Sequence, residues 1–259
     1  MESPDSASDP PIDALRSVFH LRETRRDGDR MLFYGESLVP EQMLIREVWT
    51  AFREAGYEVQ VSTGGAGRTD VVVARPVTDG IDGVPWKNIG LFLATVVSTL
   101  LVGALTWYYI PLSAIRANPL AVLRAWPFTA AVLGVLATHE LGHYALGRYH
   151  GVDVSLPYVI PFVPPFGTLG AIIRMRGQMP DRKVLFDIGV AGPLAGLAAT
   201  IAVTAVGLSL PPVEVPPWAL EGTGQALVFN NPPLLNVIAT LLGEPTEYAD
   251  PALAVNPVI

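Results

Sequence analysis

Residues 128–145 read FTAAVLGVLATHELGHYA. From Phe128 to Ala137 there is no ionisable group. Three then arrive together: His139, Glu140 and His143. In a helix, positions i and i+4 lie on one face a turn apart. Two imidazoles so placed can bind one zinc ion, and the Glu beside the first falls next to the metal's open position, where a water would sit. Zinc lowers the pKa of such a water towards ~7, and the carboxylate takes its proton as general base. The pattern also arises by chance on surface helices, as a solvated face. The apolar run before it argues for chemistry instead, because ionisable residues inside a membrane-crossing segment are costly and mark function by default. Thr138 is read as packing.

The surroundings of that segment are equally apolar. Ile89–Ile110 is uncharged throughout. At 1.5 Å per residue it can cross a hydrocarbon core of ~30 Å. Trp107, Tyr108 and Tyr109 at one end and Trp86 and Lys87 at the other suit the two interfaces. The competing reading, a buried helix of a large soluble protein, rarely needs so long an uncharged run. Phe128–Leu146 is a second span. Val184–Leu210 is a third, with Asp187 near its start and many small residues (Gly189, Ala191, Gly192, Ala195, Gly196) that allow helices to approach closely in lipid. Leu156–Gly170 is apolar but carries Pro157, Pro161, Pro164 and Pro165, which forbid a plain helix. Non-helical backbone at membrane depth is tolerated only against protein or a wet cavity, so residues 156–176 are expected to form a re-entrant segment or hairpin, with Thr168–Met175 as one strand. Residues 211–259 are Pro-rich and mixed, with a short apolar helix expected over Pro233–Leu242.

The first third is different in kind. Of 17 Lys and Arg, ten lie in residues 1–87, and none follows Lys183. Residues 1–30 read as a mobile tail, ordered somewhere after Ile12; Met1–Pro11 has no apolar core and so is not a signal peptide. Residues 31–76 read as a small soluble α+β domain: a strand at Met31–Tyr34, a helix over Pro40–Gly56 with Met43, Val48, Ala51 and Phe52 inward, a strand at Tyr57–Ser62, a turn at Gly64–Gly67 and a strand at Asp70–Ala74. Residues 77–88 are a linker, and 89–259 the membrane core. Overall, 50% of residues are hydrophobic, 16% are charged, mean hydropathy is +0.39 and net charge is −7. The negative charge argues against a nucleic-acid partner. With no cysteine, disulfides, thiolate ligands and a cysteine nucleophile are excluded. Arg far outnumbers Lys, as in GC-rich or salt-adapted prokaryotes.

Lys and Arg placement sets the expected topology. With three spans, the N-terminal domain and the loop between spans two and three share a side. That loop holds Arg148, Arg174, Arg176, Arg182 and Lys183, against Arg116 and Arg124 on the other side. The domain is therefore expected in the cytoplasm of a multi-pass cell-membrane protein. A catalytic zinc normally has three protein ligands plus water. His20 lies in the soluble domain, and His150 stands near the membrane edge. Asp187 could reach the metal, against competing roles in helix capping or pairing with an Arg.

The series His139-Glu140-Leu141-Gly142-His143, Pro157–Pro165, Phe166-Gly167-Thr168-Leu169-Gly170, Pro180–Lys183 and Phe186-Asp187-Ile188-Gly189-Val190-Ala191-Gly192-Pro193 resembles the site-2 proteases, most closely their archaeal and plastid branch. The likeness spans about residues 31–259 and is densest from 130 to 197. It implies a membrane α-helical bundle with a membrane-embedded β-hairpin. It also implies a zinc-dependent endopeptidase that cuts transmembrane segments of other proteins. His139 and His143 become ligands of one Zn2+ and Glu140 the catalytic base; the hairpin would guide an extended substrate, and Gly192-Pro193 matches a Gly-Pro motif of the family. The family's third ligand is an Asp in a Leu-Asp-Gly motif on a later helix. No Leu-Asp-Gly occurs here, and Asn256-Pro257-Val258-Ile259 resembles the lead-in to that helix. The expectation is a third ligand beyond residue 259 and a truncated chain of low activity. Three rivals remain: a membrane metal-binding or transport protein, an inactive scaffold that binds membrane helices, and a soluble zinc protease.

Overall fold

A computed structural model describes residues 9–62, 69–76, 84–176, 181–220 and 230–259. The chain divides into two compact units. The first comprises 1–84, 146–155 and 175–188; the second comprises 85–145, 156–174 and 189–259.

The first unit is built on an antiparallel sheet. Its elements are α1 (Ile12–Arg16), β1 (Phe19–Asp27), β2 (Arg30–Ser37), α2 (Glu41–Glu54), β3 (Tyr57–Ser62) and β4 (Asp70–Pro76), with strand order β1-β2-β4-β3. β3 alternates as a half-buried strand should: Tyr57, Val59 and Val61 point inward, against Glu58, Gln60 and Ser62. Leu44, Ile45, Val48 and Phe52 of α2 pack on them and on Phe33, which meets Phe52 edge-on at 6.3 Å. Met43, expected on the buried face, is exposed, because the stripe turns through Leu44 and Ile45 instead.

The largest departure from the sequence reading is at the N-terminus. Residues 12–27, placed in a tail expected to become ordered somewhere after Ile12, form α1 and β1. Leu15 and Phe19 are fully buried, and β1 pairs along its length with β2 from Phe19↔Ser37 to Asp27↔Arg30. The segment RETRRD shows no alternation because both of its faces are exposed; pairing with β2, not burial, makes it a strand. The expected turn at 64–67 and most of the linker, 77–83, lie outside the described residues. Asn88, also placed in the linker, is already helical.

Among the described residues, three helices are long and apolar enough to cross a membrane: Trp86–Trp107, Pro119–Tyr149 and Arg182–Leu208, with mean hydropathies of 2.2, 1.8 and 1.8. At most 28% of each apolar stretch is buried within the protein, leaving apolar faces suited to lipid. The first is α3 (Trp86–Val102), closed by a π-helical turn over Gly103–Trp107. After α4 (Leu112–Ala117) and a 3-10 turn (Pro119–Ala125), the second continues as α5 (Trp126–Tyr149). The third is α6 (Arg182–Leu208), which carries Pro193 inside it and so lacks one intrahelical donor there.

Between α5 and α6 the chain makes two separate strand pairs. In the second unit, β6 (Tyr158–Pro161) pairs antiparallel with β7 (Thr168–Ile172). In the first unit, β5 (Asp153–Val154) pairs with β8 (Met175–Arg176). The expected hairpin strand at 168–175 thus stops at Ile172, and Met175 belongs to another pairing. The second unit ends with β9 (Val213–Glu214), α7 (Pro217–Leu220), α8 (Pro233–Leu242) and β10 (Leu253–Ala254); β9 pairs with β10.

Candidate metal centre

α5 places Val132, Val135, Leu136, His139, Glu140 and His143 at helical spacings of three and four, on one face. The Nε2 atoms of His139 and His143 lie 3.2 Å apart, with ring centroids at 4.9 Å. Glu140, one residue on, is only 7% exposed.

α6 packs against this face through glycines. A Cβ on Gly192 would stand 2.2 Å from His143 Nε2, and one on Gly196 would stand 3.0 Å from His139 Nδ1. Opposite, a Cβ on Gly142 would stand 2.6 Å from the Ala191 carbonyl oxygen. Gly192 and Gly196, four apart, therefore bring bare backbone against both imidazoles, the close approach that small residues permit in membrane helices. Beside them is a cavity of about 470 Å³, lined by Val132, Val135, Leu136, His139 and Glu140 from α5 and by Phe166 and Thr168–Ala171 on the other side. Consecutive residues 168–171 all line it. Side chains of a strand alternate between faces, so a run of four means that the edge of β7 borders the cavity.

Among the described residues, no group of three or more His, Cys, Asp or Glu side chains is arranged to hold a metal ion. The pair itself fits one. Two nitrogens on a tetrahedral zinc, each ~2.0–2.1 Å from it, stand roughly 3.3 Å apart, and His139 and His143 are at 3.2 Å. The other titratable candidates are placed elsewhere. His20 is an exposed residue of β1. In the first unit, His150 Nε2 stands 3.2 Å from Asp187 Oδ2, without hydrogen-bond geometry. Asp187 is thus engaged with a histidine; among the described residues it neither caps a helix nor pairs with an Arg. Neither member of this contact was predicted to meet the other; residues 37 apart in sequence leave no local signal.

Sequence reasoning also missed a row of donors on the first long helix, Trp86–Trp107. Asn88 Nδ2 donates to the carbonyls of Pro157 (2.9 Å) and Leu156 (3.2 Å), Ser98 Oγ to that of Gly167 (2.7 Å), and Trp107 Nε1 to that of Pro165 (2.7 Å). The available signal was a set of polar side chains on an otherwise apolar span.

The profile of peptidase family M50 matches residues 127–252, the stretch that contains the imidazole pair and the cavity. The chain is a homologue of the M50 peptidases. It is also similar to plant proteins. "Probable zinc metalloprotease EGY1, chloroplastic" of Arabidopsis thaliana is 38% identical over 107 residues, 38% of this chain and 19% of that protein. "Probable zinc metalloprotease EGY2, chloroplastic" of the same plant is 32% identical over 131 residues, 51% of this chain and 22% of that protein. "Probable zinc metalloprotease EGY3, chloroplastic" of Oryza sativa subsp. indica is 30% identical over 129 residues, 48% and 20%. The chain therefore spans less than a quarter of the length of the curated relatives it matches. No solved structure matches it.

Proposed function

We propose that this M50 homologue is a zinc-dependent intramembrane endopeptidase that hydrolyses peptide bonds within transmembrane segments of other membrane proteins. One observation carries the reading: two imidazole nitrogens 3.2 Å apart, beside a buried carboxylate, on a helix apolar enough to lie in lipid. His139 and His143 would hold one Zn2+. Zinc, when bound, supplies Lewis acidity towards a peptide carbonyl and towards water. Glu140 takes the proton from the attacking water on its carboxylate and passes it to the departing amide nitrogen. A third protein ligand is still required of a catalytic zinc; the family resemblance implies an Asp.

The substrate must arrive extended, because a helix ties up its carbonyls in its own hydrogen bonds. The cavity between α5 and β7 suits an extended segment. Its walls are apolar apart from His139, Glu140 and Thr168, and the border of β7 offers strand pairing. In this reading β6 and β7 lie at membrane depth, shielded from lipid by protein. The distribution of basic residues supports an N-terminal region on the cytoplasmic side of a multi-pass cell-membrane protein.

A second reading is a scaffold that binds membrane helices without cutting them. It draws on the lack of a three-ligand group among the described residues. The deciding experiment uses the full-length protein in liposomes with a single-span substrate. The protease reading expects about one zinc per chain and cleavage that Glu140→Gln lowers by roughly 10²–10⁴-fold with the zinc retained. A metal-free protein that leaves the substrate uncut removes the proposal and leaves the scaffold, while equal cleavage by Glu140→Gln removes the proposed mechanism and the scaffold alike.

A further inference from the structure

The segment from Leu156 to Gly170 has a deficit of donors. Pro157, Pro161, Pro164 and Pro165 contribute carbonyls but no N–H. In an apolar setting, each carbonyl left without a partner is costly. α3 and its π-helical turn supply donors through Asn88, Thr95 and Trp107, and Ser98 adds a second donor to the Gly167 carbonyl, which also accepts from the Phe162 N–H at 3.1 Å. These outward bonds are not forced on Ser98, since a serine in a helix can satisfy itself by bonding back to its own turn. Ser98 Oγ lies 3.0 Å from the Thr95 carbonyl, yet only 2.7 Å from that of Gly167. Among the described residues Thr99, by contrast, bonds only within its own helix, to the carbonyls of Thr95 and Val96.

Two of these donors bracket one residue of the cavity. Trp107 holds the carbonyl of Pro165, Ser98 holds that of Gly167, and Phe166 lies between them, lining the cavity opposite His139 and Glu140. The Trp107 ring stacks with Phe166 at 6.1 Å and with Phe128 of α5 at 5.9 Å. Gly167 lies so close to α3 that a Cβ there would stand 2.6 Å from Thr99 Cα. The Phe128–Trp107–Phe166 stack therefore ties the far wall of the cavity to the same helix that carries the imidazoles.

We infer that Ser98 and Trp107 are positioning residues that fix the distance between the Phe166–β7 wall and the His139–Glu140 face, and so set how well an extended apolar peptide fits. The inference rests on the proteolytic reading of this site. Its test is steady-state kinetics of the full-length protein in liposomes on a single-span substrate, with zinc content measured in parallel. Ser98→Ala and Trp107→Phe each remove one donor, and the phenylalanine keeps a ring in the stack. Each is expected to raise KM by about threefold, the usual weight of one such bond in a membrane protein. kcat should stay within twofold and zinc per chain should be unchanged. Ser98→Thr, which keeps the donor, should keep the wild-type KM. Thr99→Val, which removes a hydroxyl bonded only to its own helix, should also keep it. An unchanged KM in both Ser98→Ala and Trp107→Phe overturns the inference alone. So does a joint fall of kcat and zinc content, which marks general damage. A wild-type protein that does not cleave removes the proteolytic reading and this inference with it.

Discussion

Glu140 and the two imidazoles beside it were legible because they are local: four residues of separation on a helix guarantee one face, whatever the rest of the chain does. Asp187 was not. Its partner could be chosen only by the tertiary fold, and the structure sets it against His150 at 3.2 Å. Both side chains are partly exposed, so the contact is expected to be worth only ~0–1 kcal/mol. Asp187→Asn should then lower the melting temperature slightly and leave zinc per chain as in the wild type. His139→Ala and His143→Ala should each abolish stoichiometric zinc at micromolar metal, because either leaves a single imidazole at the site. Metal analysis of the four purified proteins decides this. Loss of zinc from Asp187→Asn would instead make that carboxylate a ligand.

The long helices and the regular strands could be read from periodicity, because burial writes itself into sequence as alternation or as an uncharged run. Elements held by other means could not. β1 is charged on both faces and exists through pairing with β2, and β8 is a two-residue strand whose partner lies before the proline-rich segment. The closeness of α5 and α6 was visible only as a supply of small residues, and the structure gives each glycine a different task. A Cβ meets His143 Nε2 at 2.2 Å from Gly192 and His139 Nδ1 at 3.0 Å from Gly196, but nothing within 4 Å from Gly189. Alanine at the three positions makes the same change of helix propensity, so differences among the variants report on the imidazoles. Zinc affinity is expected to fall most in Gly192→Ala, by roughly 10–100-fold, the usual effect of disturbing a ligand's support. Gly196→Ala should fall less, and Gly189→Ala not at all. Competition with a chromophoric chelator measures the order; three equal affinities would show that α6 does not set the ring positions.

At the scale of the whole molecule, the division into units bears on membrane topology. The first unit joins residues 1–84 to 146–155 and 175–188, the stretches that follow the second long helix and lead into the third. Within it, a Cβ on Gly151 would be 3.5 Å from Arg53 Nε of α2. Parts of one compact unit cannot lie on opposite sides of a bilayer. The N-terminal sheet and both ends of the loop between spans two and three therefore share a side, as three crossings require. Which side is a matter of charge. Arg148, Arg174, Arg176, Arg182 and Lys183 lie between spans two and three, against Arg116 and Arg124 between spans one and two, and an excess of Lys and Arg near span ends marks the cytoplasmic face. The chain has no cysteine, so single cysteines report without background. Thr24→Cys in β1 and Ala117→Cys at the end of α4 are both exposed. In intact cells, a membrane-impermeant maleimide should label Ala117→Cys and spare Thr24→Cys until the cells are opened. The reverse pattern would put the sheet outside and make the charge argument wrong, while equal labelling of both before lysis would deny that the first long helix crosses the membrane at all.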